Sequence, residues 1–110
     1  MSKPVDCVVP GFVGRTYLVR YAELSATNAY AEDGVTMAYE ITEGSGKGNK
    51  GTVSYKWADL GEGVYAISWQ ESDDATVVHI DDFARGRSLS FYTTPDHRLY
   101  RLSGDLSLLD

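Results

Sequence analysis

The chain reads as an all-β protein, a single antiparallel up-and-down barrel of about eight strands. Three observations predict this. Apolar and polar residues alternate with period two in nearly every extended segment, turn signals recur roughly every ten to twelve residues, and no stretch carries a sustained helical period. A sandwich would satisfy the same pattern. Full closure fits better, because few devices that protect a free sheet edge are visible.

The segments follow in order. Residues 1–13 form an irregular lead-in broken by Pro4, Pro10 and Gly11, and the barrel domain then occupies the remainder of residues 1–110. GRTYLVRY, residues 14–21, is the first strand, rich in β-branched and aromatic side chains. Tyr21–Leu24 is the best short helical candidate; the region beyond reads as a connection with a weak strand around Ala29–Ala31, ended by Asp33-Gly34. Val35, Met37, Tyr39 and Ile41 then alternate with polar or small partners. EGSGKGNKG, residues 43–51, is expected to be a flexible surface loop, since it lacks a Walker or GxGxxG pattern leading into a helix. Val53, Tyr55 and Trp57 form the next apolar face, and Asp59–Gly63 turns the chain into the hairpin of residues 63–83. Leu89, Phe91 and Thr93 alternate after Arg85-Gly86, Pro95 centres a turn that exposes His97, and a last strand covers Leu99–Leu106.

Composition narrows the function classes. The 110 residues suit one core, and 43% apolar with 24% charged residues is ordinary for a globular protein. A formal charge of −6 without a basic run turns the chain away from nucleic acid and anionic membranes. No run of 18 apolar residues is present for a transmembrane helix, the first residues lack a signal-peptide core, and the single Cys7 has no internal partner, so a cytoplasmic location is expected. His79-x-Asp81 is the one pair with ligand spacing, which is too few for a tight zinc site, and no cofactor motif is visible; neither metal nor cofactor is expected.

The hairpin GVYAISWQESDDATVVHIDDF concentrates the candidate chemistry. A four-residue turn, Ser72–Ala75, would set Glu71 opposite Thr76, and so Trp69 opposite Val78, Ile67 opposite Ile80 and Tyr65 opposite Asp82. Glu71 and Asp82 would then end the inward face. Glu71, beside an aromatic wall at the barrel mouth, is the leading candidate for acid–base work, because desolvation raises a carboxyl pKa. Asp82 is the second, with the alternative of accepting from a turn amide or from Arg85 or Arg87. The same register aims His79 outward, across from Ser68 and beside Asp81, where a flat sheet face offers no oxyanion site for a triad. A shift of one residue would instead turn His79 and Asp81 into the barrel, and His79 is the third catalytic candidate on that account.

Taking the apolar faces as inward places Tyr17, Tyr39, Tyr55, Trp57, Tyr65, Trp69, Phe91 and Tyr100 in the interior as candidate ligand-binding side chains, with Val35, Val78, Ile80 and Leu89 among the aliphatic ones. Phenols and indoles need hydrogen-bond partners when buried, so a crowd of them suggests a cavity, although phenols reaching the barrel rims would satisfy the same need.

Ser68-Trp69-Gln70-Glu71, an acidic turn, Val77-Val78-His79-Ile80-Asp81-Asp82-Phe83, a strand ending in Thr and then Leu102-Ser103-Gly104 together resemble the MoaF-like family. Gly14-Arg15-Thr16-Tyr17 is similar to the start of a calycin first strand. The resemblance implies a small calycin barrel with an interior pocket, related in architecture to lipocalins and phenolic acid decarboxylases. The family takes its name from molybdenum-cofactor gene clusters, and this chain has no recognisable pterin-binding pattern.

Two functions follow. One is a barrel that binds a hydrophobic or aromatic organic small molecule. The other is a cofactor-independent enzyme of decarboxylase, isomerase or cyclase type, with Glu71 as acid or base and Tyr39, Tyr55 or Tyr65 orienting substrate. An accessory subunit that binds protein partners through an outer face is a third, and a homodimer through such a face is the oligomer the strand pattern allows.

Overall fold

The computed structural model describes residues 9–110. Eight antiparallel strands pair in chain order and close: β1 (Thr16–Tyr21), β2 (Leu24–Tyr30), β3 (Thr36–Gly44), β4 (Lys50–Gly61), β5 (Val64–Gln70), β6 (Thr76–Asp82), β7 (Arg87–Thr93) and β8 (Leu99–Leu108). The up-and-down barrel read from the alternation is therefore the fold. Closure runs through β1 and β8, which pair Val19 with Leu106 and Tyr21 with Gly104. At that seam a Cβ on residue 104 would lie 2.0 Å from the Arg20 carbonyl oxygen, so glycine is what lets the strands approach.

The described residues form strands and turns only. In place of a helix at Tyr21–Leu24, Ala22 and Glu23 bend the chain from β1 into β2, which begins at Leu24 and is longer than the weak strand expected near Ala29–Ala31. The first part of the lead-in, residues 1–8, lies outside the described residues; the rest enters β1 through turns closed by Val13 N to Pro10 O and Arg15 N to Phe12 O. Residues 43–51 are more ordered than a flexible loop. Gly48 N donates to Ile41 O and Asn49 N to Gly46 O, and Ser45 N reaches the Glu23 carbonyl across the barrel end.

Aromatic packing closes one end of the barrel. Phe12 sits against Tyr30, Tyr65 and Phe83 with ring centroids 4.7, 5.3 and 5.2 Å away, and Tyr17 meets Phe83 at 5.0 Å. Tyr55 completes the cluster against Tyr30 at 5.3 Å. Phe12 is buried although it precedes the first strand, so its ring serves as a plug.

The hairpin of β5 and β6 differs from the expected register by one residue. Gln70 pairs with Thr76, Trp69 with Val77, Ile67 with His79 and Tyr65 with Asp81. The cause is loop length. Glu71 N donates to the Ala75 carbonyl at 2.8 Å, which leaves a loop of Ser72, Asp73 and Asp74, with Asp74 in the left-handed region at φ 76°. A one-residue change exchanges the two faces of a strand. His79 and Asp81 are consequently inside, 5% and 0% exposed, and Val78 is outside at 38%. Register carries the inversion into β7: His79 pairs with Ser90 and Asp81 with Ser88, while Leu89 and Phe91 oppose Ile80 and Val78 on the outer face. The expectation that Val78, Ile80, Leu89 and Phe91 point inward is thus corrected, and so is that of an inward Asp82. Val35, expected inside, is exposed in the turn before β3. No helix among the described residues is long and apolar enough to cross a membrane.

Candidate functional site

At the end opposite the plug the barrel holds a cavity of about 800 Å³. Its mouth lies among the β1–β2, β3–β4 and β5–β6 turns, with Glu23, Ser45, Asn49, Glu71 and Asp73 on the rim. Trp69, Tyr39, Tyr92 and Tyr100 supply aromatic wall, and Val19, Ile41, Val77 and Leu102 the aliphatic part. Tyr21, Asn28, His79 and Ser90 bring polar groups to the interior surface.

The polar groups are ordered by a chain of hydrogen bonds. Ser88 Oγ donates to Asp81 Oδ1 at 2.5 Å, and the Tyr21 hydroxyl, 2.7 Å from Ser88 Oγ, is left to donate into it. The second carboxylate oxygen, Oδ2, is 3.3 Å from His79 Nδ1. Both oxygens of a fully buried carboxylate are therefore engaged, which is the condition for burying one. Asp81 thus engages the ring through Nδ1, which leaves Nε2 as the nitrogen without a carboxylate partner. The ring is fixed further by Trp69 at 5.0 Å and Tyr21 at 6.4 Å between centroids. Burial, with Asp81 as a secondary cause, pushes the Tyr21 phenol far above its ordinary pKa, so it is a neutral donor.

Glu71 stands at the rim. Its Oε2 accepts from Trp69 Nε1 at 3.2 Å. Desolvation raises its pKa from the ordinary carboxylate value and Asp73 adds to this, while the indole bond and His79 oppose it. The same two carboxylates reach the phenols across the mouth. The pKa values of Tyr39 and Tyr92 are raised by burial first and then by the charges of Glu71 and Asp73.

One polar atom here lacks a partner. Asn28, 3% exposed and on the cavity wall, has a side-chain nitrogen with no hydrogen bond. The hydroxyls of Tyr30 and Tyr55, toward the plug, are likewise unpartnered.

The sequence-derived candidates divide accordingly. Glu71, His79, Tyr39, Trp69 and Tyr100 border the cavity. Tyr17, Tyr55 and Tyr65 belong to the aromatic packing around Phe12, and half-exposed Trp57 packs edge-on against Tyr65 at 5.8 Å. Phe91 is on the outer face, opposite Val78. Asp82 caps the β6–β7 turn, accepting from the amides of Ala84 and Arg85 and from the Arg85 guanidinium at 3.0 Å. Desolvation is the largest single influence on its carboxyl and pushes it up, but those bonds and the Arg85 charge together outweigh it and hold the pKa below the ordinary value. Asn28, Ser90, Tyr21 and Tyr92 join the cavity wall, and Ser88 the hydrogen-bond chain behind it, beyond the residues the sequence points to. The sequence signal for Asn28 was the inward series Ala26, Asn28, Tyr30 of a strand whose start was misplaced. Among the described residues no group of three or more His, Cys, Asp or Glu side chains is placed to hold a metal ion.

Fold and cavity together define a small closed β-barrel with an interior site, plugged at one end and open at the other. A model of the MoaF-like family matches residues 13–107, and the chain belongs to that family. It is also similar to a solved structure from Burkholderia vietnamiensis described as a "putative beta-lactamase": TM-score 0.90, 49% identity, covering 93% of this chain and 99% of the other. No protein with a curated description matches the chain.

Proposed function

We propose that the protein is a small-molecule-binding barrel that takes a hydrophobic or aromatic organic ligand bearing a hydrogen-bonding group into its interior. The observation that carries this is the cavity itself: about 800 Å³, walled by Trp69, Tyr39 and Tyr92, and reaching a polar region where a buried Asn28 nitrogen has no partner. Its size falls in the range of organic ligand pockets, and an eight-stranded barrel suits one such guest. Burying an unpaired amide nitrogen costs on the order of 1–3 kcal/mol, and a ligand that hydrogen-bonds the Asn28 amide would offset part of it. The test uses Trp57→Phe, which leaves Trp69 as the remaining indole of two. Titration with neutral N-phenyl-1-naphthylamine should give saturable energy transfer from Trp69 at one probe per chain. Absence of transfer would refute the interior pocket.

A specific observation favours a second reading, cofactor-independent acid–base catalysis. Asp81 holds the buried His79 ring by Nδ1, the arrangement that suits the other nitrogen to accept a proton from a bound substrate. Glu71, with its raised pKa, would be the second proton-transfer group, and one proton transfer with positioning suffices for decarboxylation, isomerisation or cyclisation. The lactamase name of the Burkholderia vietnamiensis structure draws little support from this chain: Ser-x-x-Lys does not occur in the sequence, and the described residues hold no metal-ligating cluster.

A further inference from the structure

The cavity is unevenly charged. Its lining carries three carboxylates, Glu23, Glu71 and Asp73, against the single cation Lys50. Glu71 is the least exposed of the three, and it stands beside the aromatic wall, bonded to the Trp69 indole N–H and acting electrostatically on the Tyr39 and Tyr92 phenols. Deeper in, Asp81 is buried opposite one imidazole, so no excess positive charge lies below the mouth to receive an anion. A carboxylate or phosphate entering here would meet like charge at the rim, with the partly desolvated Glu71 the least screened of it. A cation would meet the reverse: a partly desolvated carboxylate beside an aromatic wall of Trp69, Tyr39 and Tyr92, side chains of the kind that hold organic ammonium groups. Asn28 gives an independent pointer to a ligand, because its side chain lines the cavity, is 3% exposed and has an amide nitrogen with no hydrogen-bond partner.

We infer that the interior ligand is an organic amine: its ammonium group sits at the mouth between Glu71 and the aromatic wall, and a hydrogen-bonding group on its body lies toward Asn28. This deepens the small-molecule reading and rests on it.

Three compounds that differ only in side-chain terminus separate the alternatives: tyramine, tyrosol and 4-hydroxyphenylacetate, each used to displace N-phenyl-1-naphthylamine at neutral pH and low salt. Tyramine should displace the probe at about tenfold lower concentration than tyrosol, the scale of one cation–π contact with a carboxylate partner, and 4-hydroxyphenylacetate should be the weakest. The ratio of tyramine to tyrosol should fall toward one in the double variant Glu71→Gln, Asp73→Asn, and should also shrink in the unaltered protein as salt is raised. The salt series keeps the test valid even where the double variant disturbs the hairpin. Equal or tighter displacement by 4-hydroxyphenylacetate, or no preference for tyramine over tyrosol, overturns the amine inference while leaving the pocket intact. Failure of the probe itself to bind overturns the pocket as well.

Discussion

Asp81 is the residue on which the interior polar arrangement turns. It is the common acceptor of Ser88 and His79, and through Ser88 it orders Tyr21. Asp81→Ala would strand a hydroxyl and an imidazole N–H in a buried position, each costing more than the bond itself contributed. The expected loss is about 3 kcal/mol in urea unfolding with an unchanged slope. A loss below about 1 kcal/mol would mean that water replaces the carboxylate freely. Glu71 behaves in the opposite sense. Its folded pKa lies above the ordinary carboxylate value, so the stability tied to its protonation is fully present below the unfolded pKa and is lost as pH rises through the folded one. Glu71→Gln keeps an acceptor for Trp69 Nε1 and removes that penalty. The variant should therefore be slightly more stable than the parent at pH 7, by about 0.5 kcal/mol after allowance for its half-exposed position, and the two should converge at acid pH. A variant less stable at pH 7 would show that the charged form is favoured by folding. Such a gain on removing a charged group is what a carboxylate kept for ligand contact would show.

At the scale of the element, the β5–β6 hairpin decides which side chains meet the ligand. Its register predicts a sharp contrast between neighbours. Val77→Lys puts an ammonium into the cavity wall and should cost several kcal/mol, whereas Val78→Lys points to solvent and should change the unfolding midpoint little. Similar tolerance at both positions, or the reverse order, would contradict the register. The strands themselves were legible, because β-branched and aromatic residues at period two leave little choice for residues 16–21, 36–44 or 64–70. The facing of β6 and β7 was not. Alternation identifies two faces without saying which is inside, and the usual rule that the apolar face is buried assumes a packed core. Here the interior is a cavity with a polar floor, so His79, Asp81, Ser88 and Ser90 turn inward and Val78 and Leu89 remain 38% and 42% exposed. The deciding detail was one residue of loop: Asp74 takes a left-handed conformation more often associated with Gly or Asn, and this shortens the turn from four residues to three. Glu71 kept its inward aspect because it lies on the Trp69 side of the turn, where the shift has no effect.

For the molecule as a whole, closure and plugging determine where a ligand can sit. β1 and β8 complete the ring, and Phe12 joins Tyr17, Tyr30, Tyr65 and Phe83 at one end. The phenols expected to line a single pocket are therefore split between a plug and a cavity. That division depends on where Phe12 packs, and its irregular surroundings in sequence do not encode it. An apolar compound could enter the interior or lie on the outer strip of Val78, Ile80, Leu89 and Phe91. Intermolecular NOEs between N-phenyl-1-naphthylamine and the methyl-labelled protein distinguish them directly. The account predicts contacts to the methyls of Val19, Ile41, Val77 and Leu102. Contacts confined to Val78, Ile80 and Leu89 would place the compound on the outside and contradict an interior site.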